Sequence, residues 1–268
     1  MLFSLKTCTA IFHFMATAEQ TVDKSDARVK EMFGQIAGRY DFLNHLLSLN
    51  IDRYWRWRTV RAVPPRQGAR ILDLCTGTGD LAIAYHKAAS GTACIVGADF
   101  CYPMLARGYK KCQKSSAGKR ITFIEADAQH IPASDNKFDI VCVAFGLRNV
   151  ADTDRGLAEM KRVCARGGKV AVLEFSTPGW EPFKSIYGWY FRNVLPRIGQ
   201  LFARNSQAAY NYLPESVGQF LQGEALADRM RSVGLVDVRY QSFTLGVATL
   251  YVGTKPLSDS MMAMSTRN

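Results

Sequence analysis

Ile71-Leu72-Asp73-Leu74-Cys75-Thr76-Gly77-Thr78-Gly79-Asp80-Leu81-Ala82 is the stretch that decides the fold. An apolar run stops at two glycines and a helix-compatible run follows at once. This reads as a strand, a tight turn and a helix N-terminus, where bare backbone N–H groups face a ligand. Gly77 and Gly79 suit the turn because glycine tolerates positive φ and lets a ligand approach the backbone closely. The next apolar run, Cys94-Ile95-Val96-Gly97-Ala98, ends at Asp99. An acid about twenty residues past the glycines is placed to accept hydrogen bonds from a ribose.

Two cofactors use this grammar. Gly77-x-Gly79-x-x-Ala82 fits the loose dinucleotide fingerprint, which alone is a weak signal. Asp73, four residues before the first glycine, separates the two. A pyrophosphate beside that carboxylate is repelled. S-adenosylmethionine carries a sulfonium, an ammonium and a carboxylate but no phosphate, so an acid at its cationic end is favourable. The turn therefore predicts S-adenosylmethionine, against the bland alternative of a strand and turn with solvated acids.

The bulk numbers fit this. A chain of 268 residues is long enough for one large α/β domain or at most two small ones, and 48% hydrophobic with 21% charged residues is a globular composition. No run nears the roughly 20 apolar residues that span a bilayer. The net charge of +11 attracts polyanions or an anionic membrane surface. It is spread along the chain without a compact Lys/Arg block or a zinc-finger or RNA-binding signature, so nucleic acid is not an expected partner. Cys8, Cys75, Cys94, Cys101, Cys112, Cys142 and Cys164 stand singly. They read as reduced thiols of a reducing compartment, with no metal framework.

Along the chain, 1–24 reads as a disordered extension. Lys6, Thr7, Thr9 and His13 interrupt its apolar stretch, and arginines are absent, so it makes a poor signal or transit peptide; a natural start near Met15 fits. Residues 25–257 read as a single domain and 258–268 as a loose tail. A helical period runs from Ser25 through Val29, Met32, Phe33, Ile36, Tyr40, Leu43, Leu46 and Leu47. Asn50 or Asp52 can cap a second helix over 53–63, which Pro64-Pro65 ends. That helix interleaves Tyr54, Trp55 and Trp57 with Arg53, Arg56, Arg58 and Arg61. Either the aromatics pack while the arginines face solvent, or the helix offers a basic, aromatic face to a membrane surface or an amphiphilic substrate. Residues 25–65 thus form a helical cover.

Strands at 70–75, 93–99, 121–125, 139–145 and 169–175 alternate with helices near 79–90, 103–114 and 153–165. This order gives a parallel, doubly wound sheet whose ligands bind at the carboxyl ends of the strands. Those ends carry Asp73 to Asp80, Asp99, Asp127-Ala128, Arg148-Asn149 and Glu174. Asp127 can accept from the exocyclic amine of an adenine, and the Ala128 N–H can reach its ring. An aromatic insertion at 176–215, with Trp180, Phe183, Tyr187, Trp189, Tyr190, Phe191, Phe202, Tyr210 and Tyr212 among Lys184, Arg192, Arg197 and Arg204, reads as a lid or substrate-binding element. A helix near 217–233 and an antiparallel hairpin, 236–243 with 247–255, follow. A parallel sheet closed by such a hairpin resembles, at the level of fold, the seven-stranded Rossmann-like arrangement of class I S-adenosylmethionine-dependent methyltransferases.

The motifs Arg39-Tyr40-Asp41-Phe42-Leu43-Asn44, Leu47-Ser48-Leu49, Arg53-Tyr54-Trp55, Phe145-Gly146-Leu147-Arg148-Asn149-Val150, Leu173-Glu174-Phe175-Ser176 and Tyr212-Leu213-Pro214-Glu215-Ser216 resemble the quinone C-methyltransferases of menaquinone and ubiquinone biosynthesis. The resemblance covers about residues 28–255. It implies methylation of a ring carbon on a prenylated hydroquinone, most simply demethylmenaquinol, with the methoxy-benzoquinol of ubiquinone synthesis as the alternative. It also implies donor contacts at Thr78, Asp99, Asp127, Ala128 and Ala144. Ala144 stands where the family pattern has serine, so a contact there runs through backbone.

The chemistry itself asks for an electron-rich carbon held in line with the S–CH₃ bond, a proton acceptor, and a cation beside the developing phenolate. Arg148 is the candidate cation and Asn149 can orient the ring hydroxyl. Asp41, His45 and Glu174 are candidates for the base, none of them singled out. Tyr40, Asp41 and Asn44 span one helical turn and can face the site together. An insoluble prenyl tail implies a cytoplasmic enzyme peripherally bound to a membrane, organellar in a eukaryote; a homodimer or a quinone-synthesis complex stays open. A nicotinamide-dependent oxidoreductase and a donor-binding scaffold are the rival readings.

Overall fold

In the computed structural model, residues 26–38, 40–114, 116–194, 197 and 207–258 are described. The extension at 1–24, Phe202, Arg204 and most of the tail lie outside them. A seven-stranded sheet in the order β3-β2-β1-β4-β5-β7-β6 forms the centre. Its strands are β1 (Arg70–Leu74), β2 (Cys94–Asp99), β3 (Ile121–Glu125), β4 (Phe138–Ala144), β5 (Cys164–Phe175), β6 (Val236–Phe243) and β7 (Ala248–Thr254). The first five pair in parallel, and β7 enters antiparallel between β5 and β6.

Ile71, Leu72 and Leu74 are buried because β1 lies at the sheet's centre with helices on both faces. On one face Ile71, Ile95, Ala171 and Leu173 pack with Leu81 and Tyr85 of α4 (Asp80–Ala88) and Trp55 of α3 (Ile51–Ala62). On the other, Leu72, Val141, Val143 and Tyr251 meet Leu157 and Met160 of α6 (Thr153–Val163) and Leu226 and Met230 of α9 (Glu224–Ser232). Each such side chain contributes about 1.5–3 kcal/mol by leaving water. The chain winds from β1 toward β3 and then returns to β4 on β1's other side, so the crevice opens at the ends of β1 and β4.

Three local expectations change. The long first helical period is two helices, α1 (Asp26–Ile36) and α2 (Tyr40–Leu47), with a turn at Ala37-Gly38 between them. Asn50 does precede α3, in the left-handed conformation at φ 62° and without a side-chain cap, while Asp52 sits inside the first turn. The expected helix at 217–233 is α8 (Gln207–Gln219) and α9, interrupted where Gly223 takes φ 58°. Between the sheet's parallel and antiparallel halves, α7 (Phe183–Trp189) starts the insertion; α5 (Tyr102–Gln113) follows β2.

Candidate active site

The turn after β1 is held by two acids. Asp73, 1% exposed, accepts the Thr76 hydroxyl at 2.6 Å and the Ala82 N–H at 3.1 Å, tying strand end to helix start. Burial pushes its carboxyl up to about 7 despite those bonds. Asp99 accepts the N–H groups of Gly77 at 2.8 Å and Cys101 at 2.9 Å, and burial raises it to about 6. Gly77 and Gly79 take φ 57° and 82°, the left-handed region that only glycine enters cheaply. Cys75 joins them at φ 49°.

Two recesses meet at Cys75. The smaller is walled by Asp99, Asp127, Ala128, Gln129, Phe100 and Val150. Asp127 there accepts the Gln129 N–H at 2.8 Å; burial raises its carboxyl, but the bonds from Gln129 and His130 outweigh this and hold it below the usual range. The larger cavity, about 340 Å³, is walled by Asp73, Gly77, Thr78, Ala144, Arg148, Tyr40 and Asn44, with apolar and aromatic side chains over most of the rest. Gly79 lies just beyond its wall, tight against Phe123. The predicted donor residues therefore divide between two neighbouring spaces that share Cys75 as a wall, a small one edged by Asp99 and Asp127 and a large one lined mostly by apolar and aromatic side chains. The turn N–H groups expected to be bare are largely spent, Gly77 on Asp99 and Gly79 on the Thr76 carbonyl at 2.8 Å. A buried acid on one side of Cys75 and an acid-edged recess on the other nonetheless fit an elongated ligand with a cationic middle and a polar ring at one end, as S-adenosylmethionine is.

Phe145 and Phe175 lie against each other on the cavity wall, their ring centroids 4.4 Å apart and their planes tilted by 34°. Arg148, 5% exposed, lies 5.4 Å from the Phe175 ring and donates from Nη1 to the Phe145 carbonyl and to Glu174 Oε2 at 3.0 Å. Its Nε is buried and has no hydrogen-bond partner among the described residues. Asn149 does not reach the cavity; its Oδ1 accepts the Tyr212 hydroxyl at 3.1 Å, joining two of the sequence motifs. Glu174 is likewise committed to Arg148.

The helical cover closes over the turn. Asp41 stands off the cavity wall, accepting the Thr78 hydroxyl on one oxygen and Lys111 Nζ on the other at 2.8 Å. Lys111 also bonds Asp80 at 2.5 Å. Tyr40 lies against Gly77 and bonds Asn44, its phenol pushed up by burial.

Sequence reasoning missed Asp52, Ser48 and Arg56, all on the cavity wall. Arg56 belongs to the helix whose arginines were expected to face solvent or a membrane, yet it turns inward over the Phe145 ring at 5.8 Å and pairs with Asp52 and, at 3.7 Å, Asp80. The signal was present: Asp52 and Arg56 are spaced i, i+4, so a helix places them together.

Known proteins are similar to this chain in sequence and in fold. A ubiquinone/menaquinone biosynthesis C-methyltransferase of Geobacter sp. (strain M21) is 46% identical over 228 residues, 85% of this chain and 96% of its own length. A demethylmenaquinone methyltransferase of Thermus thermophilus is 47% identical over 225 residues, 84% of this chain and all of that one. Solved structures share the fold at low identity. The [4+2]-cyclase SpnF gives a TM-score of 0.63 at 15% identity, covering 86% of this chain and 96% of its own. An Aquifex aeolicus SAM-dependent methyltransferase gives 0.53 at 15%, covering 77% and 92%. The model of the ubiE/COQ5 methyltransferase family matches residues 21–255, and the chain belongs to that family.

Proposed function

We propose that the protein transfers the methyl group of S-adenosylmethionine to a ring carbon of a prenylated hydroquinone, with demethylmenaquinol as substrate. The observation that carries this is the apolar cavity opening directly off the donor turn, with the tilted Phe145 and Phe175 pair on its wall and beside it the Nε of Arg148, which no described residue bonds. A flat aromatic substrate packs against such rings, and a guanidinium stabilises oxyanion charge as it develops. Asp99 and Asp127 are assigned to the ribose and the adenine amine, and Asp73 with the Gly77 and Thr78 backbone to the methionine end. Gly79 shapes the turn. The Ala128 N–H serves the adenine ring, and Ala144 offers only backbone. Tyr40 and Asn44 close the space over the acceptor.

We further propose that the substrate is taken from a membrane surface. Among the described residues no helix is long and apolar enough to cross a membrane. Tyr54 and Trp57 are exposed on α3 with Arg58 and Arg61 stacked on them, and Trp180, Ile186 and Trp189 are exposed around α7. Basic and aromatic side chains together suit an anionic interface.

The test is transfer of labelled methyl from S-adenosylmethionine to demethylmenaquinol and, in parallel, to the methoxy-benzoquinol. Turnover of the first at higher kcat/KM supports the reading. Turnover of neither, with nicotinamide bound instead, overturns it. Pelleting with anionic vesicles at low salt tests the membrane surface; a protein left in the supernatant counts against it.

A further inference from the structure

We propose that Asp52 is the proton acceptor for methyl transfer, held toward the cavity by Ser48, His45 and Arg56. This rests on the methyltransferase reading of the same cavity. Three carboxylates line that cavity among the described residues: Asp52, Asp73 and Asp80. Asp73 is engaged by Thr76 and Ala82 at the donor turn, where a cationic ligand claims it. Asp80 is paired with Lys111 and faces Arg56. Asp52 remains.

Its surroundings suit the task. Asp52 is 3% exposed. Its Oδ2 pairs with His45 Nδ1 at 2.9 Å and accepts Arg56 Nη1, while among the described residues Oδ1 accepts only the Ser48 hydroxyl at 2.8 Å. An ionised carboxylate offers about four acceptor positions, so Oδ1 keeps room for a substrate hydroxyl. Burial raises this carboxyl, but Arg56 and the Ser48 bond outweigh it and hold it below the usual range, so it is ionised at neutral pH. The titratable and charged groups facing it or its partners are His45, Arg56, Asp80 with Lys111 and Asp41 behind it, Tyr40 and Asp73. The ligand atoms of His45, Asp52 and Asp80 lie within 4.8 Å of one another, and Arg56 and Lys111 already supply the positive charge there.

The step balances without an outside reagent. The ring carbon bonds the methyl as the S–CH₃ bond breaks, its electron pair staying on sulfur. The ring hydroxyl turns strongly acidic as aromaticity is lost, and its proton passes to Asp52, leaving a neutral dienone. The C–H proton at the methylated carbon then leaves to water while Asp52 returns its proton to the oxygen. One proton is released per turnover and Asp52 ends ionised.

The experiment is single-turnover methyl transfer to a short-prenyl demethylmenaquinol between pH 6 and 9, with donor affinity measured alongside. Asp52→Asn lowers the rate at pH 7 by about 100-fold with donor affinity unchanged. Its rate then climbs with pH toward wild type as the phenol ionises unaided, while the wild type stays flat. Ser48→Ala shows a smaller loss with the same slope and serves if Asp52→Asn does not fold. His45→Ala loses rate, and His45→Gln, which can still hydrogen-bond Asp52, recovers most of it. An Asp52→Asn profile parallel to wild type, or the slope appearing in Asp73→Asn instead, overturns the assignment. A wild type that methylates no hydroquinone removes the methyltransferase reading itself, a separate result.

Discussion

The hydroxyl of Thr78, on the donor turn, donates to the carboxylate of Asp41, thirty-seven residues earlier on α2. The same carboxylate takes Lys111 from α5. One acid thus fastens the helical cover to the turn and to the far side of the crevice. Asp41→Ala frees both partners and loosens the cover. Donor affinity falls about tenfold, read by calorimetry, and amide exchange quickens over 26–47 while the sheet is unaffected. Unchanged exchange there would mean that the cover is held by packing alone.

Asp73 and Asp99 make the unliganded protein pH-sensitive. Their folded-state values, about 7 and about 6, lie above the unfolded value of 3.8. Between those limits the folded protein binds more protons than the unfolded chain, so stability from these groups falls as pH rises from 4 to 7. A cationic ligand at Asp73 reverses the trend. Donor binding therefore tightens from pH 6 to 8 and releases protons, measured by calorimetry in buffers of differing ionisation enthalpy. In Asp73→Asn the pH dependence flattens.

A Cβ added at Gly146 would stand 2.3 Å from the Cys75 Cβ, far inside contact distance. Because φ at Gly146 is −121°, the conflict is steric and not conformational. Gly146→Ala pushes the β4 loop off the donor turn, costing about 1–3 kcal/mol in thermal unfolding and weakening donor binding with it. Retained stability and affinity would show that the two loops move apart freely.

Arg148 and Glu174 form a buried pair, with side chains 6% and 1% exposed. Glu174→Gln strands a guanidinium, and breaking such a pair costs about 3–5 kcal/mol. Adding Arg148→Met to it restores much of the melting temperature but none of the methyl transfer. A double variant that is active would remove Arg148 from the chemistry.

Most of the sheet was legible because parallel strands buried on both faces leave unbroken apolar runs, and their polar ends mark the crevice. β5 begins five residues before the expected 169, at Cys164, because Phe138 pairs with Cys164 ahead of a register shift. The breaks at Gly38 and Gly223 were signalled by glycine, yet the flanking helical periodicity outweighed it. Arg56 was harder. An i, i+4 pair with Asp52 is equally common on a solvated face, and only tertiary packing over Phe145 turns it inward. Asn149 illustrates the opposite error: its neighbour faces the cavity, but its own amide is spent on Tyr212.

Cys75 sits on the boundary of both recesses. On one side the walls are strand ends, fixed by the architecture of the sheet; on the other they are largely helices and insertion residues laid over it. Changes in those outer helices away from Asp41 can alter what is methylated while the recess of strand ends that holds Asp99 and Asp127 stays in place. The fold is thus a platform whose two halves can evolve at different speeds.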